Sequence, residues 1–123
     1  MDRKILLVDD EVDFLTLMKK RVESWGYQVI TATNGDDALA LLKTERPSAV
    51  ILDYTMPDIN GVDLLRKIRG INPRIPAIMF TAQLTIKAIE GGTELNVAAF
   101  IPKVSSHNDT EKDLKTALEL TFK

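Results

Sequence analysis

The chain has 123 residues, 45% apolar and 28% charged, which is enough for one domain with a substantial core and too few for two. Sixteen basic and eighteen acidic side chains leave a formal charge of −2, so there is no basic field for a nucleic-acid backbone and no direct nucleic-acid binding is expected. Cysteine is absent, excluding disulfides and thiolate metal sites, and no apolar run approaches the ~20 residues of a membrane span or forms a signal-peptide core, so a cytoplasmic location without membrane contact is expected.

Five short apolar runs alternate with five helix-like stretches. Residues 5–8 form the first run, continuously apolar and therefore expected to be a strand covered on both faces. Asp13 is a candidate N-cap for the next stretch, where Leu15, Met18, Val22 and Trp25 recur at helical spacing until Gly26 stops it. Residues 27–33 are rich in β-branched side chains and predict strand two. Asn34-Gly35 turns the chain into a second helix with Ala38, Leu39 and Leu42 inward. Residues 49–52 predict strand three, and Asn60 with Asp63 forms a capping pair that opens helix three.

Residues 76–82 predict strand four. The helical stretch 84–95 carries Gly91-Gly92, each about 1 kcal/mol worse than alanine in a helix, so helix four is expected to be the loosest element. Asn96 supplies a left-handed residue before strand five at 98–101. Thr110 and Asp113 open the last helix, with Leu114, Ala117 and Leu118 inward. Alternating β and α units predict one α/β domain over residues 1–123, a parallel sheet with right-handed crossovers.

Polar residues follow the apolar runs with regularity. Asp9-Asp10 follow strand one, Asp53 follows strand three, Thr81 lies near the end of strand four, and Lys103 follows strand five. Ligands of open α/β sheets collect at these carboxyl ends. Taken singly, Asp9 or Asp10 is a helix-flanking acid, Asp53 a turn cap, Thr81 a strand residue and Lys103 a solvated charge. Together, if strands one and three are neighbours, three carboxylates converge in one cleft and repel unless a cation joins them or a pKa rises. Hard oxygen ligands favour Mg²⁺.

The segments Leu7-Val8-Asp9-Asp10-Glu11, Leu52-Asp53-Tyr54-Thr55-Met56-Pro57, Asn60-Gly61-Val62-Asp63-Leu64-Leu65, Phe80-Thr81-Ala82 and Phe100-Ile101-Pro102-Lys103 resemble the receiver domain of two-component response regulators. The resemblance runs from about Lys4 to the last helix. It implies a flavodoxin-like, doubly wound (βα)5 fold of three α/β/α layers with strand order 2-1-3-4-5. It also implies a phosphoacceptor domain that promotes only its own phosphorylation and dephosphorylation. Asp53 would accept a phosphoryl group from a histidine kinase, a histidine phosphotransfer protein or a small acyl phosphate. Asp9, Asp10, Asp53 and the Thr55 backbone carbonyl would hold Mg²⁺ or Mn²⁺, and Lys103 would neutralise charge on the phosphoryl oxygens.

Thr81 would bond a phosphoryl oxygen, with Phe100 changing rotamer as Thr81 moves. Thr55 and Gln83 would line the path of the hydrolytic water. The surface of helix four, strand five and helix five would then engage a downstream effector, in a monomer or a phosphorylation-dependent dimer.

Two other readings fit less well. An aspartyl-phosphate phosphatase of the haloacid-dehalogenase type would want a carboxylate where Thr55 stands and a cap for which the length leaves no room. A degenerate receiver used as a scaffold would have lost an acid, Asp53 or Lys103, and all are present. His107, the only histidine, sits in a Ser-Ser-His-Asn loop with none of the setting of a phosphorylatable kinase histidine. Lys19-Lys20-Arg21 reads as a solvated helix face. One departure stands out: receivers normally carry proline directly after the lysine, whereas here Pro102 precedes Lys103 and Val104 follows it. A trans Lys103–Val104 bond is expected, with Pro102 tolerated on an edge strand.

Overall fold

The computed structural model describes residues 3–82, 84–103 and 110–123. Their elements alternate without exception: β1 Lys4–Val8, α1 Val12–Ser24, β2 Gln28–Ala32, α2 Gly35–Glu45, β3 Ala49–Leu52, α3 Gly61–Ile71, β4 Ala77–Thr81, α4 Ile86–Glu94, β5 Ala99–Pro102 and α5 Thr110–Thr121. All strand pairs are parallel, in the order β2-β1-β3-β4-β5. This is the flavodoxin-like order the resemblance implied, and β5 is an edge strand.

Apart from Lys4 at the start of β1 and Thr81 at the end of β4, the central strands are apolar because both faces are covered. Ile5 and Leu7 of β1, Ala49 and Ile51 of β3, and Ile78 and Phe80 of β4 point into one core, where α1 supplies Leu15, Met18 and Val22 and α5 supplies Leu114 and Leu118. The alternate residues Leu6, Val8, Val50, Leu52, Ala77 and Met79 meet α2 and α3 on the other face, through Ala38, Leu42, Leu64, Leu65 and Ile68. Period-two alternation along each strand thus feeds two cores and builds the three layers.

Helix ends follow local chemistry in most places. The Asn34 side chain accepts from Asp37 N at the start of α2, and Asn60 does the same for Asp63 N at α3. Gly26 and Asn96 take positive φ of 99° and 60° at the stops of α1 and α4. Asp13 does not cap α1. Helical backbone begins at Val12 with Glu11 as N-cap and no side-chain cap bond, and Asp13 falls in the first turn. The reason lies upstream: Asp9 Oδ1 accepts from Glu11 N at 2.9 Å and tightens the chain so that the helix starts two residues sooner.

The glycine pair of α4 has a packing role. A Cβ on Gly91 would lie 2.7 Å from Val62 Cγ1 of α3, and a Cβ on Gly92 would lie 2.6 Å from Phe100 Cζ of β5. Arg69 of α3 fastens the far end of the same helix, donating to the Leu95 carbonyl at 2.9 Å and to the Ile75 carbonyl. Burial lowers the pKa of that guanidinium.

Candidate functional site

Backbone ladders carry the polar residues to one end of the sheet. Val8 pairs with Leu52 in the β1–β3 register, so Asp9 and Asp53 leave the sheet at the same level. Asp53 N donates to the Val8 carbonyl at 3.0 Å, and Asp9 N donates to Ala32 at 3.1 Å. On the other side Thr81 ends β4, and Lys103 N donates to the Thr81 carbonyl at 2.7 Å. Four separate strand ends therefore meet at one end of the sheet.

One carboxylate oxygen from each of Asp9, Asp10 and Asp53 lies within 4.8 Å of the others. Opposite ligands of an ion with bonds of about 2.1 Å stand about 4.2 Å apart, so the donor set fits a small hard divalent cation. Asp9 and Asp53 are buried at 2% and 3% exposure, while Asp10 is half-buried. The Lys103 ammonium, on a side chain only 5% exposed, contacts Asp9 Oδ2 at 2.6 Å, Glu11 Oε1 at 3.0 Å and Asp53 Oδ2 at 3.2 Å. The remaining oxygen of Asp53, Oδ1, accepts from Thr55 N at 3.3 Å.

Charge in this cleft is unbalanced. Burial pushes the Asp53 carboxyl above the ordinary carboxylate range, and the neighbouring charge of Asp9 adds to it. Burial likewise raises Asp9, only partly offset by its hydrogen bond from Lys103. For Lys103 burial acts downward, but hydrogen bonds to Asp9 and Glu11 and the charges of Asp9 and Asp53 outweigh it, holding the ammonium well above its ordinary value. The two directions are consistent because one cation faces several acids: the lysine is over-paired and the carboxylates are under-paired. A further positive charge is what such a site lacks.

The sequence-predicted residues Asp9, Asp10, Asp53 and Lys103 converge, and Thr81 is fully buried at the end of β4. Thr55 is exposed beside Asp53, with its backbone nitrogen engaged as above. Phe100 is half-buried against the core and Gly92. Gln83, His107 and the Lys103–Val104 bond lie outside the described residues. Two contacts were not anticipated: Glu11 as a third acid on Lys103, and Phe14, whose ring centroid lies 4.5 Å from the Lys103 ammonium. Their only signal in the sequence was position, in the first turn after a strand end.

A parallel five-stranded α/β domain with an acidic triad and a lysine at its strand ends defines the class, and the comparisons name it. Residues 5–115 match the family described as response regulator receiver domain. The chain belongs to that family. It is 33% identical over 118 residues to the alkaline phosphatase synthesis transcriptional regulatory protein PhoP of Bacillus subtilis, covering 96% of this chain and 49% of that one. The chain thus spans about half the length of the curated relatives it matches. Among solved structures, the non-phosphorylated HemR receiver domain from Leptospira biflexa is 32% identical with a TM-score of 0.85, covering 98% and 94% of the two chains. A CheY-like receiver from Methanospirillum hungatei is 26% identical with a TM-score of 0.87, over 99% and 98%. No helix among the described residues is long and apolar enough to cross a membrane.

Proposed function

We propose that this chain is a single phosphoacceptor receiver domain in which Asp53 takes a phosphoryl group from a sensor histidine kinase, a histidine phosphotransfer protein or a small acyl phosphate. The observation that carries the reading is the excess of buried acid over cation around Asp53, with three carboxylates within 4.8 Å. An Asp53 oxygen attacks phosphorus while the donor's bond to phosphorus breaks and its electron pair departs with the donor. Lys103 meets the charge that develops on the phosphoryl oxygens. When bound by Asp9, Asp10, Asp53 and the Thr55 carbonyl, Mg²⁺ or Mn²⁺ supplies the missing positive charge and a template for those oxygens.

Thr81 then bonds a phosphoryl oxygen, Phe100 turns, and the surface formed by α4, β5 and α5 presents itself to a downstream effector, in the cytoplasm and as a monomer or phosphorylation-dependent dimer. The domain promotes its own phosphorylation and dephosphorylation, and no separate substrate is turned over. The test is intact mass after incubation with acetyl phosphate, with and without Mg²⁺. A single phosphate adduct on wild type that needs the ion and is absent from Asp53→Asn is expected. Equal adduct on the variant refutes the assignment.

A further inference from the structure

Among the described residues Lys103 is the one cation in the cleft, and the directed bonds that hold it all run to carboxylates. Asp9 and Asp53 fix it from within, while Glu11, exposed at the rim, draws it outward. The ammonium has three N–H donors and three acid partners, so it is saturated at rest. Phosphoryl transfer changes that arrangement: Asp53 becomes an acyl phosphate, and the charge that Lys103 must meet moves outward onto the phosphoryl oxygens. The lysine must therefore pivot in a cleft where its side chain is nearly dry.

What it pivots against is an aromatic face. The Lys103 ammonium lies 4.5 Å from the ring centroid of Phe14, on the first turn of α1. That ring is braced by Phe80, which is 2% exposed, with centroids 5.4 Å apart and planes tilted by 56°. Phe80 directly precedes Thr81. A carboxylate holds an ammonium along a few directed bonds. A ring face holds it through its quadrupole with little directional demand, and does so most strongly where water is excluded.

We propose that Phe14 is a positioning residue for phosphoryl transfer, its ring face holding the Lys103 ammonium through a cation–π contact as the lysine moves from the Asp9 and Asp53 carboxylates to the phosphoryl oxygens. The proposal rests on the phosphoacceptor reading of Asp53. The ring does not touch the reacting atoms; it acts through Lys103.

The test separates electrostatics from packing. Phe14 is replaced by 4-fluoro-, 3,5-difluoro- and 3,4,5-trifluorophenylalanine, which keep the ring's shape and drain its negative face step by step. Phosphorylation by acetyl phosphate is followed with Mg²⁺ present. The rate is expected to fall in graded fashion to about one-fifth, a change of about 1 kcal/mol, while the midpoint of thermal unfolding stays in place. Phe14→Tyr, which keeps a π face, is expected to match wild type, and Phe14→Leu to be as slow as the trifluoro variant. In the unphosphorylated protein, the Lys103 ε-methylene protons should lose their ring-current shielding in Phe14→Leu. A flat response across the fluorinated series, with wild type phosphorylated normally on Asp53, overturns the cation–π role even if Phe14→Leu is slow. If wild type takes no phosphate on Asp53, the phosphoacceptor reading falls, and this proposal with it.

Discussion

Gly92→Ala sets two opposing terms against each other. Alanine in place of glycine inside a helix gains about 1 kcal/mol. The new methyl group, however, would stand 2.6 and 2.7 Å from Cζ and Cε1 of Phe100 and 3.1 Å from Val97 Cγ2, where carbon atoms at rest keep about 3.5–4.0 Å. Forcing that overlap into fixed surroundings costs about 1–3 kcal/mol. Phe100 is not fixed. Its ring is half-buried and the clashing atoms are at the far end of the side chain, so it can swing out. Exposing such a ring costs on the order of 1 kcal/mol, about what the helix gains. The variant should therefore unfold in urea within about 1 kcal/mol of wild type but with Phe100 displaced.

Gly91→Ala is the contrast. Its methyl group meets Val62, which is buried and β-branched with one favoured rotamer in a helix, and that side chain cannot leave. A net loss of up to about 2 kcal/mol is expected there. The ring is read by ¹⁹F NMR of 4-fluorophenylalanine at position 100. In Gly92→Ala the resting signal should already sit near its phosphorylated position and move less on phosphorylation. An unshifted signal together with a full 1 kcal/mol gain in stability would refute the close approach of Gly92 to Phe100.

Three further outcomes are expected. Asp53→Asn should raise the unfolding midpoint at pH 7 without divalent ions, because the Asp53 pKa is raised in the folded state. The folded protein then holds more protons than the unfolded chain, stability falls as pH climbs from about 3.9 to the folded-state pKa, and the advantage of the variant should vanish in melts below that window. Arg69→Met removes the donor to the Leu95 and Ile75 carbonyls and should cost about 1–3 kcal/mol, with hydrogen exchange accelerating in α4 before the other helices. Exchanging Thr55 and Gln83 should alter the dephosphorylation rate by more than about 3-fold, or about 0.7 kcal/mol, and an unchanged decay of the phosphorylated species would place them away from the hydrolytic water.

The architecture was readable because its signals are local. Residues 5–8 and 49–52 are apolar at every position since each strand feeds two cores, and the observed bounds of β2, α4 and β5 differ from expectation by one or two residues at their ends. The acids and the lysine were readable because each directly follows a strand. What escaped were relations between distant segments. Glu11 and Lys103 meet across 92 positions, and no periodicity encodes that contact. The start of α1 was misplaced because a side chain three residues upstream set it. Gly91 and Gly92 suggested weakness by propensity, whereas their packing partners, Val62 and Phe100, belong to other elements.

Pro102 bears on how this domain can be recognised. Lys103 N bonds inward to Thr81, and backbone donors along a parallel strand alternate sides, so the amides of Phe100 and Pro102 face the open edge of the sheet. Proline has no hydrogen to offer, which leaves one donor on that edge within β5 where there would be two. A chain laid alongside β5 would find no donor at Pro102, so the ladder weakens past Phe100. The edge is a poor template for strand addition, whether by a peptide ligand or by another receiver in an aggregate. A partner at this edge would find side chains a better handle than the backbone ladder.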